Sequence, residues 1–256
     1  MKPIKFSLFL FVFLLLVLTG LACGLSGGGT PTATATDVPP EATATKTPMP
    51  TSTSTSTPRP SPTPDVAATQ KADDFNSLLT EFKEKGYVTT TTGKSFEPDP
   101  FKEDWAQIGW YQWWPFDSKT KDFVFSGHFN WSTSSATPDT SGCGVIFGMQ
   151  ENDDHYAVFL DKSRILFLMG RGSNIYNVGK TSGSGKVNFD NPAEAEFVLA
   201  VKGQSAYVSV NREVTEYTLS ADQTSAGTFA FSILSGTNKD YGTRCEMTNM
   251  IFWEPK

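Results

Sequence analysis

At 256 residues the chain has room for one or two domains. Its 27 acidic residues outnumber 21 basic ones, for a formal charge of −6, and no basic cluster interrupts that balance. This argues against nucleic acid as a partner, because affinity for a polyphosphate is built from clustered Lys and Arg. The N-terminus reads as an export signal: Lys2 and Lys5 make a basic start, Leu8 to Leu18 is an unbroken apolar run, and small residues follow up to Ala22 and Cys23.

The stretch Leu-Thr-Gly-Leu-Ala-Cys ending at Cys23 resembles the lipobox of bacterial lipoproteins, in which a peptidase cuts before a cysteine carrying a diacylglycerol thioether. Ala22 and Cys23 fit that pattern, whereas Gly20 stands where the family usually has Leu, Val or Ile. The resemblance implies lipidation at Cys23 and removal of residues 1–22 as a signal peptide. A second reading stays open, because Phe6 to Leu25 carries no charge and is long enough to span a bilayer as an uncleaved signal anchor. In both, the charges before the apolar run favour a cytoplasmic N-terminus and place the rest of the chain outside. The expected location is extracytoplasmic, on a bacterial cell surface, with the membrane as a partner through the N-terminus.

Residues 23–64 form the next segment. Ser26 to Pro64 is built almost entirely of Thr, Pro, Ser, Ala and Gly. Such a stretch buries too little apolar surface to offset the entropy of ordering, so a disordered stalk is expected. Its prolines favour extended polyproline II at about 3.1 Å per residue, a reach on the order of 100 Å. An amphipathic helix is predicted over residues 65–86, with Asp65 as N-cap and Gly86 as stop. Ala68, Ala72, Phe75, Leu79 and Phe82 share one face at helical spacing, with Leu78 beside them. That face suits docking on the following domain or self-association.

From Tyr87 onward the period becomes two. Phe123, Phe125, Phe129 and Trp131 fall on one side of their run, and Val124, Ser126, His128 and Asn130 on the other. Val145, Phe147 and Met149 alternate likewise, as do Tyr156, Val158 and Leu160. Further runs cover 164–169, 196–202, 206–211, 228–234 and 244–253, separated by Gly, Asn, Asp and Ser clusters. Residues 87–256 are therefore expected to form an all-β antiparallel domain, a sandwich or jelly roll. In an oxidising compartment Cys143 and Cys245 are expected to be bridged, two unrelated buried thiols being the alternative. With no histidines nearby they make a poor zinc site.

Three places in this region carry a resemblance. DFVFSGHFNW, GCGVIFGMQENDDHYAVFLD and FVLAVKGQSAYVSVNREVTEYTL are similar to an early strand, a glycine-led hairpin with an acidic loop, and a later hairpin of the concanavalin A-like lectin/glucanase superfamily. Its laminin G-like and keto-disaccharide hydrolase-like bacterial members are the nearest in character. The later hairpin carries Asn211-Arg212 where Asn-Gly is usual. The closing GTRCEMTNMIFWE resembles the last strand, which in that fold runs beside the first. The implied fold is a concanavalin A-like antiparallel β-sandwich, and function has to be argued from sites.

Catalytic members that cleave β-glucans carry Glu-x-Asp-x-x-Glu on one strand face, one carboxylate as nucleophile and one as acid. Nothing here matches; Glu194 and Glu196 alternate without a third acid and read as solvated edge charges. Gly179 to Lys186 superficially resembles a phosphate loop, but Val187 follows where Ser or Thr is needed, so a flexible turn is expected. A nucleophile elbow is absent, and His128 and His155 are far apart. Calcium is one cofactor reading: Glu151, Asp153 and Asp154 offer hard oxygen ligands, or make an ordinary acidic turn. A sugar needs an aromatic platform and hydrogen-bonding side chains. His128 and Asn130 share the outer face of their sheet by parity, and Gln150 and His155 are expected on the corresponding face of neighbouring strands. Trp110 and Trp114, in an alternating aromatic cluster, are the platform candidates. The expectation is a non-catalytic, membrane-anchored binding module for a glycan, the alternatives being a protein-interaction domain or a keto-disaccharide hydrolase-like enzyme.

Overall fold

The computed structural model describes residues 66–135, 140–161, 164–187 and 191–256. The signal peptide, Cys23, the Thr/Pro-rich stalk and Asp65 lie outside the described residues. Among the described residues no helix is long and apolar enough to cross a membrane.

Helix α1 (Val66–Glu84) is followed by β1 (Gly93–Phe96), β2 (Phe101–Trp105), β3 (Trp110–Thr120), β4 (Phe123–Thr133), β5 (Gly142–Met149), β6 (His155–Asp161), β7 (Arg164–Arg171), β8 (Asn174–Ser182), β9 (Ala193–Lys202), β10 (Ser205–Val210), β11 (Glu213–Thr218), β12 (Gly227–Ser235) and β13 (Thr243–Pro255). Sheet A runs β1-β13-β4-β9-β10-β11, with β2 also paired to β13; sheet B runs β3-β12-β5-β6-β7-β8. Every strand pair is antiparallel. This is the antiparallel sandwich that the alternating pattern and the superfamily resemblance imply, and the last strand does pair with the first.

The period-two pattern sets the layers. Phe123, Phe125, Phe129 and Trp131 of β4 point between the sheets, each at most 1 % exposed, and meet Phe147, Phe229 and Phe231 of sheet B and Phe252 of β13. Phe125 and Phe229 rings lie 5.0 Å apart, and Phe229 and Phe252 also 5.0 Å. Each buried ring contributes about 1.5–3 kcal/mol of apolar transfer, and tilted or edge-on contact adds to that. Cys143 on β5 and Cys245 on β13 form a disulfide with Cα atoms 5.4 Å apart, tying sheet B to sheet A through the core.

Helix α1 docks on the outer face of sheet A. Phe75, Leu79 and Phe82 pack on Val124, Ala200, Tyr207, Ile251 and Trp253. Ala68 and Ala72, on the same predicted stripe, stay exposed, so only the C-terminal turns are buried. The helix ends two residues earlier than the predicted boundary, in a Schellman motif. Tyr87 N–H donates to the Phe82 carbonyl at 2.8 Å and Gly86 N–H to that of Lys83 at 3.0 Å, with Gly86 at φ 77. The Phe82 and Tyr87 rings meet edge-on at 5.4 Å, and Tyr87 stacks on Tyr207 at 4.3 Å. Lys71 fastens the other end to Glu97 at 2.7 Å.

Two expectations are corrected. Gly179 to Ser182 is not a flexible turn but the end of edge strand β8, paired to β7. Glu194 and Glu196 are not edge charges, since β9 lies inside sheet A between β4 and β10. The β10–β11 turn keeps Asn211 and Arg212 at φ 46 and 71, the paired left-handed geometry that Asn-Gly usually supplies.

The disulfide closes a loop across a sequence separation of 102 residues. Replacing both Cys143 and Cys245 with Ala is expected to lower the unfolding free energy by about 4 kcal/mol, read from the denaturant midpoint. A loss below about 1 kcal/mol would show that the core alone fixes the two sheets.

Candidate functional site

The residues expected to share one open face are divided between the two sheets. His128 and Asn130 lie on the outer face of sheet A, where β4 pairs with β9 as His128↔Glu196 and Asn130↔Glu194. His128 Nδ1 is 2.9 Å from Glu196 Oε1, and its Nε2 is 3.7 Å from Glu194 Oε2. Lys102 and Glu246 pair at 2.9 Å on the same sheet. Gln150 and His155 belong to sheet B, so the four cannot line one face. Parity assigns a residue to a face of its own sheet; it does not say which sheet.

On the outer face of sheet B, Tyr111, Trp113, His155 and Phe159 form an aromatic group. Tyr111 lies 5.3 Å from Phe159 and 5.8 Å from His155, and Trp113 lies 5.7 Å from His155, between ring centroids. These side chains roof Ile146, Ala157 and Ala230. His155 is only 5 % exposed, with both nitrogens engaged. Its Nδ1 lies 2.6 Å from the Asp153 carbonyl, which can only accept, so Nδ1 carries the proton and Nε2 accepts from the Tyr111 hydroxyl at 2.7 Å. Gly170 leaves the room: a Cβ there would sit 2.5 Å from His155 Cε1. Burial lowers the His155 pKa, opposed by the Asp153 hydrogen bond and the charges of Asp153 and Asp154, and pushes Tyr111 up to about 12. His155 therefore holds Tyr111 in place and offers nothing to a ligand. Trp114 turns inward onto Phe101 at 5.3 Å, so it is no platform, while Trp110 is 62 % exposed at the start of β3.

The polar groups converge at one end of sheet B. The ladder pairs Thr228 with Met149, which sets the start of β12 beside the end of β5. The β5–β6 turn and the short 3-10 helix Ala221–Gln223 then enclose a cleft of about 450 Å³. Its walls carry Gln150, Glu151, Asn152, Asp154, Asp222, Gln223 and Ser225, with Lys119 and Met149 alongside. The turn is fixed from within: Gln150 N–H donates to the Asp154 carbonyl at 2.9 Å, and Asp153 N–H to that of Gln150 at 3.0 Å, with Asp153 at φ 63. Asn152 Oδ1 accepts the Asp154 N–H at 3.2 Å, and Asp154 Oδ1 accepts the Gly172 N–H at 2.7 Å. Opposite, Asp222 pairs with Arg171 at 2.8 Å and accepts from Ser220 Oγ at 2.6 Å. Arg171 first, then Ser220, holds its carboxyl down at about 2.

The cleft brings together three of the predicted residues, Gln150, Glu151 and Asp154, and leaves Asp153 outside. Among the described residues no three His, Cys, Asp or Glu side chains are grouped to hold a metal, Glu151, Asp153 and Asp154 included. Lys119, Asp222, Gln223 and Ser225 were not foreseen. The polar run Asp222 to Ser225 before β12 was the available signal, but only the Thr228–Met149 pairing brings it to Gln150.

The His155 pair has a pH consequence. Because the folded pKa lies below the ordinary 6.5, the unfolded chain takes up the proton first. The stabilisation is complete above that value and is lost as pH falls from it. The Tm of the wild type is expected to drop more steeply than that of His155→Gln between about pH 7 and about pH 5. Parallel curves would contradict the neutral, buried imidazole.

No family model matches the chain, and no curated protein matches it. Solved structures similar to it include a carbohydrate-binding module from Bacillus subtilis, 10 % identical over 62 % of this chain and 94 % of that one, with a TM-score of 0.45. A β-fructofuranosidase of Aspergillus kawachii complexed with glycerol is 15 % identical over 66 % of this chain and 28 % of that one, TM-score 0.46. A fructofuranosidase of Schwanniomyces occidentalis complexed with fructose is 12 % identical over 62 % and 34 %, TM-score 0.42. This chain thus spans about a third or less of either enzyme. At such identities and scores no ligand or activity carries over, and what the cleft takes has to be argued from its own side chains.

Proposed function

We propose that this chain is a non-catalytic, membrane-anchored, extracytoplasmic binding module whose cleft takes a glycan. The observation that carries this reading is the cleft lining: three carboxamides, three carboxylates and a hydroxyl face one space of about 450 Å³. A polyhydroxylated ligand needs that chemistry, since each of its hydroxyls both donates and accepts. The size is that of a small-molecule site. The sequence carries no Glu-x-Asp-x-x-Glu strand and no nucleophile elbow, which favours binding over hydrolysis. The export signal and Cys23 support anchoring, and the Thr/Pro-rich stretch 26–64 serves as the stalk that lifts the domain away from the bilayer.

A second reading is favoured by one observation. Ile108 and Trp110 are 57 % and 62 % exposed within three residues of each other, as in a protein contact surface.

Glycan-array binding by the full chain in detergent separates the two. Saturable binding to one glycan class is expected, weakened about five- to ten-fold in Gln150→Ala by loss of a hydrogen bond. Copurification of a defined protein with no glycan retained would overturn the glycan reading. Anchoring is checked apart from it: Cys23→Ala is expected to abolish lipid incorporation, and normal lipid labelling of that variant would contradict the lipoprotein assignment.

A further inference from the structure

We infer that the free edge of β8 pairs two copies of this chain, antiparallel over Asn174–Val178, with Tyr176 opposite its own copy. The pairing is independent of what the end cleft holds.

A strand at the end of a sheet turns every second N–H and C=O away from its neighbour, and another extended backbone meets them in register. Sheet B ends at β8, and among the described residues β8 pairs with β7 alone. The other end strands carry features that turn an incoming strand away. β3 has Pro115, Asp117 and Lys119, and β11 has Glu213 and Glu216. β1 is four residues long and carries Lys94, while β2 sets Lys102, Glu103 and Asp104 in a row. From Asn174 to Asn177 β8 has neither charge nor proline, and its register slip against β7, beside Val178, comes after them. Instead it holds two large apolar side chains in solvent, Ile175 and Tyr176.

The edge is also held in place on both sides. At the hairpin tip, Asp154 Oδ1 accepts the Gly172 N–H at 2.7 Å, and Arg171 pairs with Asp222 at 2.8 Å. Further along, the Thr181 and Tyr217 hydroxyls are 2.7 Å apart, and a Cβ on Gly179 would sit 2.5 Å from the Tyr217 ring. A strand fixed in this way loses little freedom on pairing.

Symmetry and charge make a second copy the occupant. Two like strands running antiparallel in one sheet are related by a two-fold axis perpendicular to it, so each residue meets one from the same face. With the axis at Tyr176, Ile175 falls opposite the copy's Asn177 and Asn174 opposite its Val178. Lys180 falls opposite the copy's Gly172 at the turn, so no like charges are opposed. The two Tyr176 rings meet as an aromatic cross-strand pair.

Sedimentation of the full chain in density-matched detergent, at several ratios of protein to micelle, tests this. The mass is expected to rise with protein concentration from one chain towards two. Tyr176→Lys and Tyr176→Glu each set like charges across the axis, and each is expected to weaken association about ten-fold. An equimolar mixture of the two variants is expected to restore it, because Lys then faces Glu. Circular dichroism of each variant establishes that it is folded. Trp110→Lys, at the opposite edge of sheet B, is expected to leave association unchanged. A chain that stays single at every concentration overturns the pairing. So does association that survives Tyr176→Lys, that the folded mixture fails to restore, or that Trp110→Lys abolishes.

Discussion

The rest of the structure depends on the phenylalanine layer closed between the two sheets. Phe123, Phe125 and Phe129 from β4, Phe229 and Phe231 from β12, and Phe252 from β13 pack together as one apolar layer in the middle of the sandwich. Each strand that contributes to the layer must keep its alternation, because a one-residue slip would turn its aromatic set into solvent. The disulfide from Cys143 to Cys245 adds a covalent tie across the same layer. With the interior fixed in this way, chemistry is displaced to the outer faces and to the strand ends, where loops are released from the packing constraint.

The two outer faces and the end cleft then divide the roles. Sheet A is covered by α1 over Val124, Ala200 and Ile251, and its His128 is hydrogen-bonded to Glu196. Sheet B covers itself, with Tyr111 and Trp113 folded over smaller residues and locked by His155. Both faces have met most of their bonding needs internally. The cleft between the β5–β6 turn and the Ala221–Gln223 helix has not, since Glu151, Asn152 and Ser225 stand exposed along its walls. A site with unmet hydrogen-bonding capacity at the end of a rigid scaffold is where a ligand gains most.

The sequence made the layers legible and the site only partly so. β4 could be read residue by residue, because its inward aromatics alternate with polar outward positions such as Ser126, His128 and Asn130. β8 was missed because it is an edge strand with no buried face: Asn174 to Asn177 are all exposed, and Ile175 and Tyr176 stand in solvent at 52 % and 46 %. Strands β1 and β2, of four and five residues, are too short to show an alternating pattern of their own. Gln150, Glu151 and Asp154 were singled out from a local pattern, a polar turn between two alternating runs. Asp222 and Gln223 could not be joined to them, since that neighbourhood is created by β12 pairing with β5 far away in sequence. For the same reason His128 and His155 were placed on one face when the strand order puts them on opposite sides of the sandwich.

The most direct test of the central claim, that the ligand enters the end cleft, is to map backbone amide chemical shifts of the isotope-labelled chain during titration with the bound glycan. The account predicts saturable shifts confined to Gln150–Asp154, Asp222–Gly227 and Lys119, with His128 and Asn130 unmoved. Shifts centred on His128 and Asn130, or on Ile108 and Trp110, would contradict it and move the site to another surface of the sandwich.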